Sequence, residues 1–178
     1  MYYQEFYRKS IDQPEQFWQE QAMQLEWFKA PKTILSKDKY DYDQWFQDGE
    51  LNLSYLCIDK HIKEGFGNQN AIIYDSPVTN VKQHITFSQL HHEVSKLAGG
   101  LQGLGLQKGD TCIIYMPMIP QALYAMLACV RIGVIHSVVF GGFAPHELAI
   151  RINDCKPKAI ITASNGVEIQ KIIPINLL

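Results

Sequence analysis

The sequence lacks the patterns that mark several common classes of protein. Its four cysteines, Cys57, Cys112, Cys129 and Cys155, are widely spaced and form no C-x-x-C pair, so no paired-cysteine metal motif is present. No run of Lys or Arg exceeds two residues and the net charge is −2, which argues against a nucleic-acid-binding protein. Without a secretory leader at the first residues, the thiols are interpreted as reduced and the protein as cytoplasmic.

Phosphate-binding and nucleophile motifs are also missing. The glycine-rich stretch 99–105, GGLQGLG, has the spacing G-x-x-G-x-G. It falls at the end of a predicted helix, whereas a dinucleotide fingerprint lies between a strand and a helix. The sequence contains no G-x-x-x-x-G-K-[ST], G-x-S-x-G or H-E-x-x-H. A nicotinamide-dependent oxidoreductase is therefore disfavoured.

One stretch imitates a membrane-spanning helix. The residues from Thr111 to Val130 carry no formal charge. This stretch is twenty residues long, which is the length that a helix needs to cross a bilayer. Pro117 and Pro120 divide this stretch into two unlike halves. A buried strand followed by a turn and a helix is the favoured interpretation, and no membrane association is expected.

The first part of the chain, residues 1–65, is predicted to be a mostly helical, aromatic-rich leader segment. The first sixty residues hold all three tryptophans and six of the nine tyrosines, and they show no obvious strand. Asp12, Pro14 and Glu15 indicate a helix start with Asp12 as the cap, because proline is favoured in the first turn. A second helix is expected from about Ser54 to Lys63.

The second part, residues 66–178, alternates strand-like and helix-like patterns. Such alternation predicts an α/β fold with parallel pairing, here part of an open, doubly wound sheet. Thr86 and Gln89 have capping-box spacing, and the strand VIHSVVF is apolar enough to be covered on both faces. The predicted elements are the hairpin strands 71–75 and 81–86, a helix from Thr86 to Gly105, strand 111–116, helix 120–132, strand 134–140, helix 145–155 and strand 158–162.

The most informative feature is the pair of glycines that follows strand 134–140. In a parallel sheet, ligands bind where strands lead into helices, and Phe140, Gly141, Gly142 and Phe143 form such a connection. Two interpretations stay open at this level: a plain tight turn, or a close approach of an anionic ligand to bare backbone and to the free amides of the next helix. His146 and Glu147 are expected to point into solvent.

Longer blocks of the sequence resemble one family. The stretches LQKGDTCIIYMPM and YMPMIPQALYAMLACVRIGVIHSVVFGGFAPHELAIRI closely resemble the AMP-forming short-chain acyl-CoA synthetases of the adenylate-forming superfamily. EFYRKSIDQPEQFW and WFQDGELNLSYLCIDKHI resemble the N-terminal segment of acetyl- and propionyl-CoA synthetases. The stretches AIIYDSPVTN and HELAIRINDCKPKAIITAS favour the propionyl-CoA synthetase branch.

The resemblance implies a two-step reaction that uses ATP with Mg²⁺, a short-chain carboxylate and CoA. The carboxylate attacks the α-phosphate of ATP to give an acyl-adenylate and pyrophosphate, and the CoA thiol then displaces AMP. The family performs the first step with a Ser/Thr/Gly-rich phosphate loop, a ribose-binding acid, a Mg²⁺-binding Glu and a C-terminal lysine. None of these motifs occurs in the 178 residues, so no catalytic residue is assigned and the chain alone is predicted to be inactive. Neither CoA nor ATP with Mg²⁺ is expected to bind strongly to this chain alone.

The family features that do map onto this chain concern CoA. The Phe-Gly-Gly segment of the family lies along the CoA route, which implies CoA contacts for Phe140, Gly141 and Gly142. A phosphate-gripping segment, Arg-x-x-Arg in acetate enzymes, falls on Glu168, Ile169, Gln170 and Lys171. Lys171 preserves one positive charge, whereas Glu168 would repel a phosphate. An alternative is a non-catalytic CoA-binding or fragment-pairing module, and exposed apolar surface is expected to favour self-association.

Overall fold

The computed structural model describes residues 2–140, 145–168 and 171–174. The chain separates into two compact units, Met1–Asn52 and Leu53–Leu178. The predicted division into a leader, 1–65, and an α/β region, 66–178, stays a prediction. Each unit is described by itself below.

The N-terminal unit consists of two short helices and a small antiparallel sheet. Its elements are α1 (Tyr3–Asp12), α2 (Pro14–Ala22), β1 (Leu35–Lys37) and β2 (Asp43–Trp45). Strands β1 and β2 pair in antiparallel register. The expectation that this region contains no strand was therefore wrong; three-residue strands are too short to show an alternating pattern in the sequence.

The start of α2 was predicted correctly, but its cap was not. The helix begins at Pro14, as expected, whereas Gln13 occupies the N-cap position and makes no side-chain capping bond. Asp12 is instead the last residue of α1. Phe17 of α2 is buried and meets Phe6 and Trp18 edge to face, with ring centroids 4.7 and 5.1 Å away. This aromatic cluster is the main packed feature of the N-terminal unit.

The second unit contains a helical entry, a hairpin and a parallel sheet with its helices. A π-helical turn, Tyr55–Asp59, runs directly into α3. The other bounds are α3 (Lys60–Lys63), β3 (Asn70–Ser76), β4 (Val81–Thr86), α4 (Phe87–Gly103), β5 (Thr111–Met116), α5 (Pro120–Arg131), β6 (Ile135–Phe140), α6 (Pro145–Cys155), β7 (Ala159–Thr162), β8 (Asn165–Glu168) and β9 (Lys171–Pro174).

The sheet pairing agrees with the sequence pattern. Strands β3 and β4 form the predicted antiparallel hairpin. Strand β5 is central in a three-stranded parallel sheet of order β6-β5-β7. Strands β8 and β9 form a separate antiparallel pair. The mixed α/β class is therefore confirmed.

Strand β5 contributes to two hydrophobic clusters. Cys112 and Ile114 belong to the larger cluster, which α4 and α5 complete, whereas Ile113 and Tyr115 pack with Val139 and with Leu148 of α6. Because successive strand residues point to opposite faces, both faces of this strand are covered. The uncharged stretch 111–130 thus forms a buried strand and a helix. No helix in the described ranges is long and apolar enough to span a bilayer.

Strand β6 departs from the expectation that it is covered on both faces. Val139 is fully buried, but Ile135 is 61% exposed and Val138 is 48% exposed. The physical reason is position: β6 lies at the edge of the three-stranded sheet. The described neighbours therefore leave some of its apolar side chains exposed.

Local signals fix the ends of the two longest helices. The Thr86 hydroxyl accepts a bond from the Gln89 amide while the Gln89 side chain accepts one from the Thr86 amide, so the predicted capping box is present. Gly105 and Gly133 follow α4 and α5 with φ angles of +88° and +74°. Glycine is favoured in this left-handed region because it has no Cβ.

An ion pair connects the π-helical turn to α5. Both terminal nitrogens of Arg131 donate to the carboxylate of Asp59, at 3.2 and 2.6 Å. The His91 Nε2 of α4 lies 3.3 Å from the same carboxylate. Three elements of the second unit therefore meet at Asp59.

Candidate functional site

The strand that precedes the predicted glycine connection ends at the carboxyl edge of the parallel sheet. Phe140 is the last residue of β6 and pairs in register with Met116, the last residue of β5. Helix α6 begins at Pro145, as predicted. Gly141 and Gly142 lie outside the described residues. The flanking backbone nevertheless gives the strand-to-helix arrangement at which open α/β sheets bind ligands.

The start of α6 presents polar side chains to solvent. His146 and Glu147 are both exposed, in agreement with the expectation that they point into solvent. Proline at the first helical position leaves one fewer free amide there, while the remaining first-turn amides still favour an anion. Glu147, an acid in the first turn, already interacts favourably with this helix end.

The second predicted segment is a β-hairpin. Glu168 ends β8, Lys171 begins β9, and the two residues are register partners. Ile169 and Gln170, which connect them, lie outside the described residues. The two halves of the predicted CoA site thus come from different sheets: Phe140 from the parallel sheet, and Glu168 with Lys171 from the separate antiparallel pair.

Burial and hydrogen bonding shift the pKa values of titratable groups in and beside the parallel sheet. Burial lowers the pKa of His136 in β6, so its imidazole is neutral at pH 7. The hydrogen bond between the buried thiols of Cys112, in β5, and Cys129, in α5, lowers the pKa of Cys112 and raises the pKa of Cys129. Among the described residues, no group of three or more His, Cys, Asp or Glu side chains suits a metal ion.

One feature was missed at the sequence level: a groove between α4 and α5. Its lining includes Leu97, Gly100 and Tyr124. The apolar positions of α4 were correctly assigned to a core-facing helix, but a groove depends on which neighbours cover each position. Gly99 and Gly100 were the available signal, because adjacent glycines inside a helix are unfavourable.

Two family models match consecutive parts of the chain. The AMP-binding enzyme model matches residues 60–176. The model for the acetyl-coenzyme A synthetase N-terminus matches residues 3–57. The chain therefore belongs to the AMP-binding enzyme family, in the group that carries the acetyl-coenzyme A synthetase N-terminal segment.

Individual relatives agree with this assignment. The chain is 52% identical, over 97% of its length, to a Pseudomonas aeruginosa protein described as uncharacterized, of which it covers 28%. It is 52% identical, over 93% of its length, to the mitochondrial acyl-CoA synthetase short-chain family member 3 of Bos taurus, covering 24% of it. It is 48% identical, over 97% of its length, to the acetyl-coenzyme A synthetase of Pseudoalteromonas atlantica, covering 27%. The chain thus spans about a quarter of the length of these curated relatives.

Proposed function

We propose that this chain is the N-terminal segment of an AMP-forming short-chain acyl-CoA ligase that acts on propionate. The observation that carries the proposal is the pair of adjacent family matches, 3–57 and 60–176, which together account for nearly the whole chain. Identity to the short-chain family member 3 proteins, 50–52%, is slightly above that to the acetyl-coenzyme A synthetases, 47–48%. This difference supports the branch outside the acetate enzymes.

In the proposed reaction, a carboxylate oxygen attacks the α-phosphorus of ATP. A bond forms between the carboxylate oxygen and the α-phosphorus, and the bond between the α-phosphorus and the departing pyrophosphate breaks. The CoA thiolate then attacks the acyl carbon. The bond from this carbon to the oxygen shared with the phosphate breaks, and AMP leaves with that oxygen. Positioning and neutralisation of phosphate charge carry most of such chemistry. This chain's share is to help position CoA, and the catalytic groups of the family fall outside its 178 residues.

The CoA contact is proposed for the connection that follows β6. Its place at the carboxyl edge of the sheet, directly before α6, supports an anionic or nucleotide-bearing ligand. Gly141 and Gly142 would let the pantetheine arm approach the backbone closely. Glu168 and Lys171 are register partners in the β8–β9 pair. We propose that Lys171 offers the positive charge and that Glu168 weakens the phosphate contact.

Calorimetric titration with CoA tests this assignment. The wild-type chain alone should bind CoA weakly, and Gly142→Trp should weaken this binding further, because the indole would occupy the space of the ligand. A matched control is Gly99→Trp, since a Cβ at Gly99 meets no atom within 4 Å. Equal CoA affinity in wild type and Gly142→Trp would contradict the proposed contact.

An assay of pyrophosphate release tests the proposal that this chain alone lacks the catalytic groups. The 178-residue chain with ATP, Mg²⁺ and propionate should release no pyrophosphate above background. Release above background by the pure chain would contradict the placement of the catalytic groups elsewhere.

A cytoplasmic location is part of the proposal; the Bos taurus relative is, by its name, mitochondrial.

A further inference from the structure

The helices that follow β5 and β6 lie on opposite faces of the parallel sheet. Helix α5 packs in the cluster that contains Ile114 of β5, whereas α6 packs in the cluster that contains the preceding residue, Ile113. Because successive strand residues point to opposite faces, the chain leaves β5 toward one face and leaves the neighbouring β6 toward the other. Open α/β sheets bind ligands in the crevice at such a reversal, outside the carboxyl ends of the strands.

A short, rigid connection borders this crevice on the β5 side. Only residues 117–119 separate β5 from α5. The Ile119 amide donates to the Pro117 carbonyl at 2.8 Å, which closes a three-residue turn. Pro117 and Pro120 are both buried, and each proline ring fixes its own φ angle. Met118 therefore stands at the centre of a turn that has little conformational freedom.

The turn holds the side chain of Met118 out in solvent. Met118 is 80% exposed, the largest exposed fraction of any large apolar side chain described in the second unit. Such exposure forgoes the favourable free energy of apolar burial, which a ligand that covers the side chain would restore. Residues 117–119 carry no charge, so this wall suits an uncharged part of a ligand. A thioether side chain is flexible and polarizable and adapts to an irregular chain-like molecule.

We infer that Met118 is a ligand contact in the crevice between β5 and β6, and that it packs against the uncharged pantetheine arm of CoA. The identity of the ligand rests on the proposed function. The position of the contact rests on the Pro117–Ile119 turn and on the opposite placement of α5 and α6. Met118 takes no part in bond making or breaking; it covers the arm and so restricts its path.

Methionine methyl NMR of the 178-residue chain tests this contact, since chemical shifts detect weak binding. The chain has five methionines, and a Met118→Leu variant assigns the Met118 signal. Millimolar CoA or pantetheine should shift that signal in a saturable way, whereas AMP, which lacks the arm, should leave it in place. Met23, 57% exposed in the N-terminal unit, is the control methyl and should not shift with any of the three.

The backbone amides of His146 and Glu147, at the start of α6, report separately on the proposed CoA contact. If CoA shifts these amides but not the Met118 methyl, the inference is overturned while the proposed CoA contact stands. If CoA shifts neither, both are overturned. A Met118 shift that AMP reproduces in full would also overturn the assignment to the pantetheine arm.

Substitution at Met118 gives a second measurement. Met118→Glu should weaken CoA binding at least about fivefold, because a carboxylate would lie against the apolar arm and repel the CoA phosphates. Met118→Leu should stay within about twofold of wild type, since the two side chains are similar in volume.

Leu104→Glu is the matched control for charge. Leu104 is 76% exposed and lies on the connection that leads into the amino end of β5. Both positions are exposed, so neither Glu variant should change the melting temperature much, and a loss of CoA affinity would then not reflect unfolding. Equal weakening of CoA binding by Met118→Glu and Leu104→Glu would overturn the contact.

Discussion

The two units of this chain differ greatly in how many apolar side chains they bury. Among the described residues, the N-terminal unit buries three apolar side chains, Phe17, Ala22 and Ile34, whereas the second unit buries twenty. Yet the N-terminal unit holds all three tryptophans, of which Trp18 is 43% and Trp45 38% exposed. The aromatic content of a segment therefore does not predict how many side chains it buries, whereas a periodic apolar pattern does predict burial.

The largest expected effect lies in the core of the second unit. Ile114→Thr places a hydroxyl at a fully buried position of β5 and should lower the free energy of unfolding by about 2–4 kcal/mol, from lost apolar packing and an unsatisfied polar group. Ile135→Thr, on the exposed part of β6, should change it by less than about 0.5 kcal/mol. Hydrogen exchange of the β5 amides measures both, and equal effects would contradict the assigned burial.

A smaller loss is expected in the N-terminal unit. Phe17→Leu keeps an apolar side chain but removes the edge-to-face contacts with Phe6 and Trp18, which should cost about 1–2 kcal/mol. Tryptophan emission in urea reports this change because every tryptophan lies in this unit. Tyr42→Leu, at a side chain that is 71% exposed, is the control and should shift the midpoint little.

The capping box of α4 should contribute less again. Thr86→Ala removes the acceptor for the Gln89 amide and should cost about 1 kcal/mol. Because the two side chains act reciprocally, the double variant with Gln89→Ala should cost less than the sum of the single changes. Strict additivity in a denaturant series would show that the two capping bonds are independent.

The smallest effect is a dependence on pH at the surface of the second unit. The hydrogen bond from Lys158, assisted by the Gln107 amide, holds the pKa of Asp110 below its usual range. A carboxyl with a lowered folded pKa adds stability above its unfolded pKa, and this stability is lost as the pH falls through the folded pKa. Lys158→Met should raise the pKa of Asp110 in a carbon-detected titration and make acid unfolding begin at higher pH; an unchanged Asp110 titration would contradict this.

The sequence predicted the second unit well because its periodic patterns and punctuating residues agree. Thr86, Gln89, Gly105 and Gly133 mark helix ends through local geometry alone, and strand 111–116 and helix 145–155 match the structure. In the N-terminal unit, Asp12 was assigned as a cap although it ends α1, and β1 and β2 were missed. Short elements depend on contacts distant in sequence, which no local pattern reveals.

The candidate site could be predicted only in part. The end of β6 and the start of α6 around the connection were predicted from the sequence pattern, whereas the CoA contact there stays a prediction that rests on the topology rule for parallel sheets and on resemblance to a family. The groove between α4 and α5 could not be predicted, because it depends on how these helices are spaced over the sheet. The exposure of Val138 was likewise missed, since the strand order places β6 at an edge.

A chimera tests the central claim most directly: this chain replaces the matched segment of the Pseudoalteromonas atlantica acetyl-coenzyme A synthetase, to which it is 48% identical over 176 residues. The measurement is the CoA-dependent conversion of a short-chain carboxylate and ATP to acyl-CoA, AMP and pyrophosphate. If this chain is the N-terminal segment of an AMP-forming short-chain acyl-CoA ligase, the chimera should form acyl-CoA, and Gly142→Trp should raise the KM for CoA more than that for ATP. A folded chimera that forms no acyl-CoA would contradict the claim.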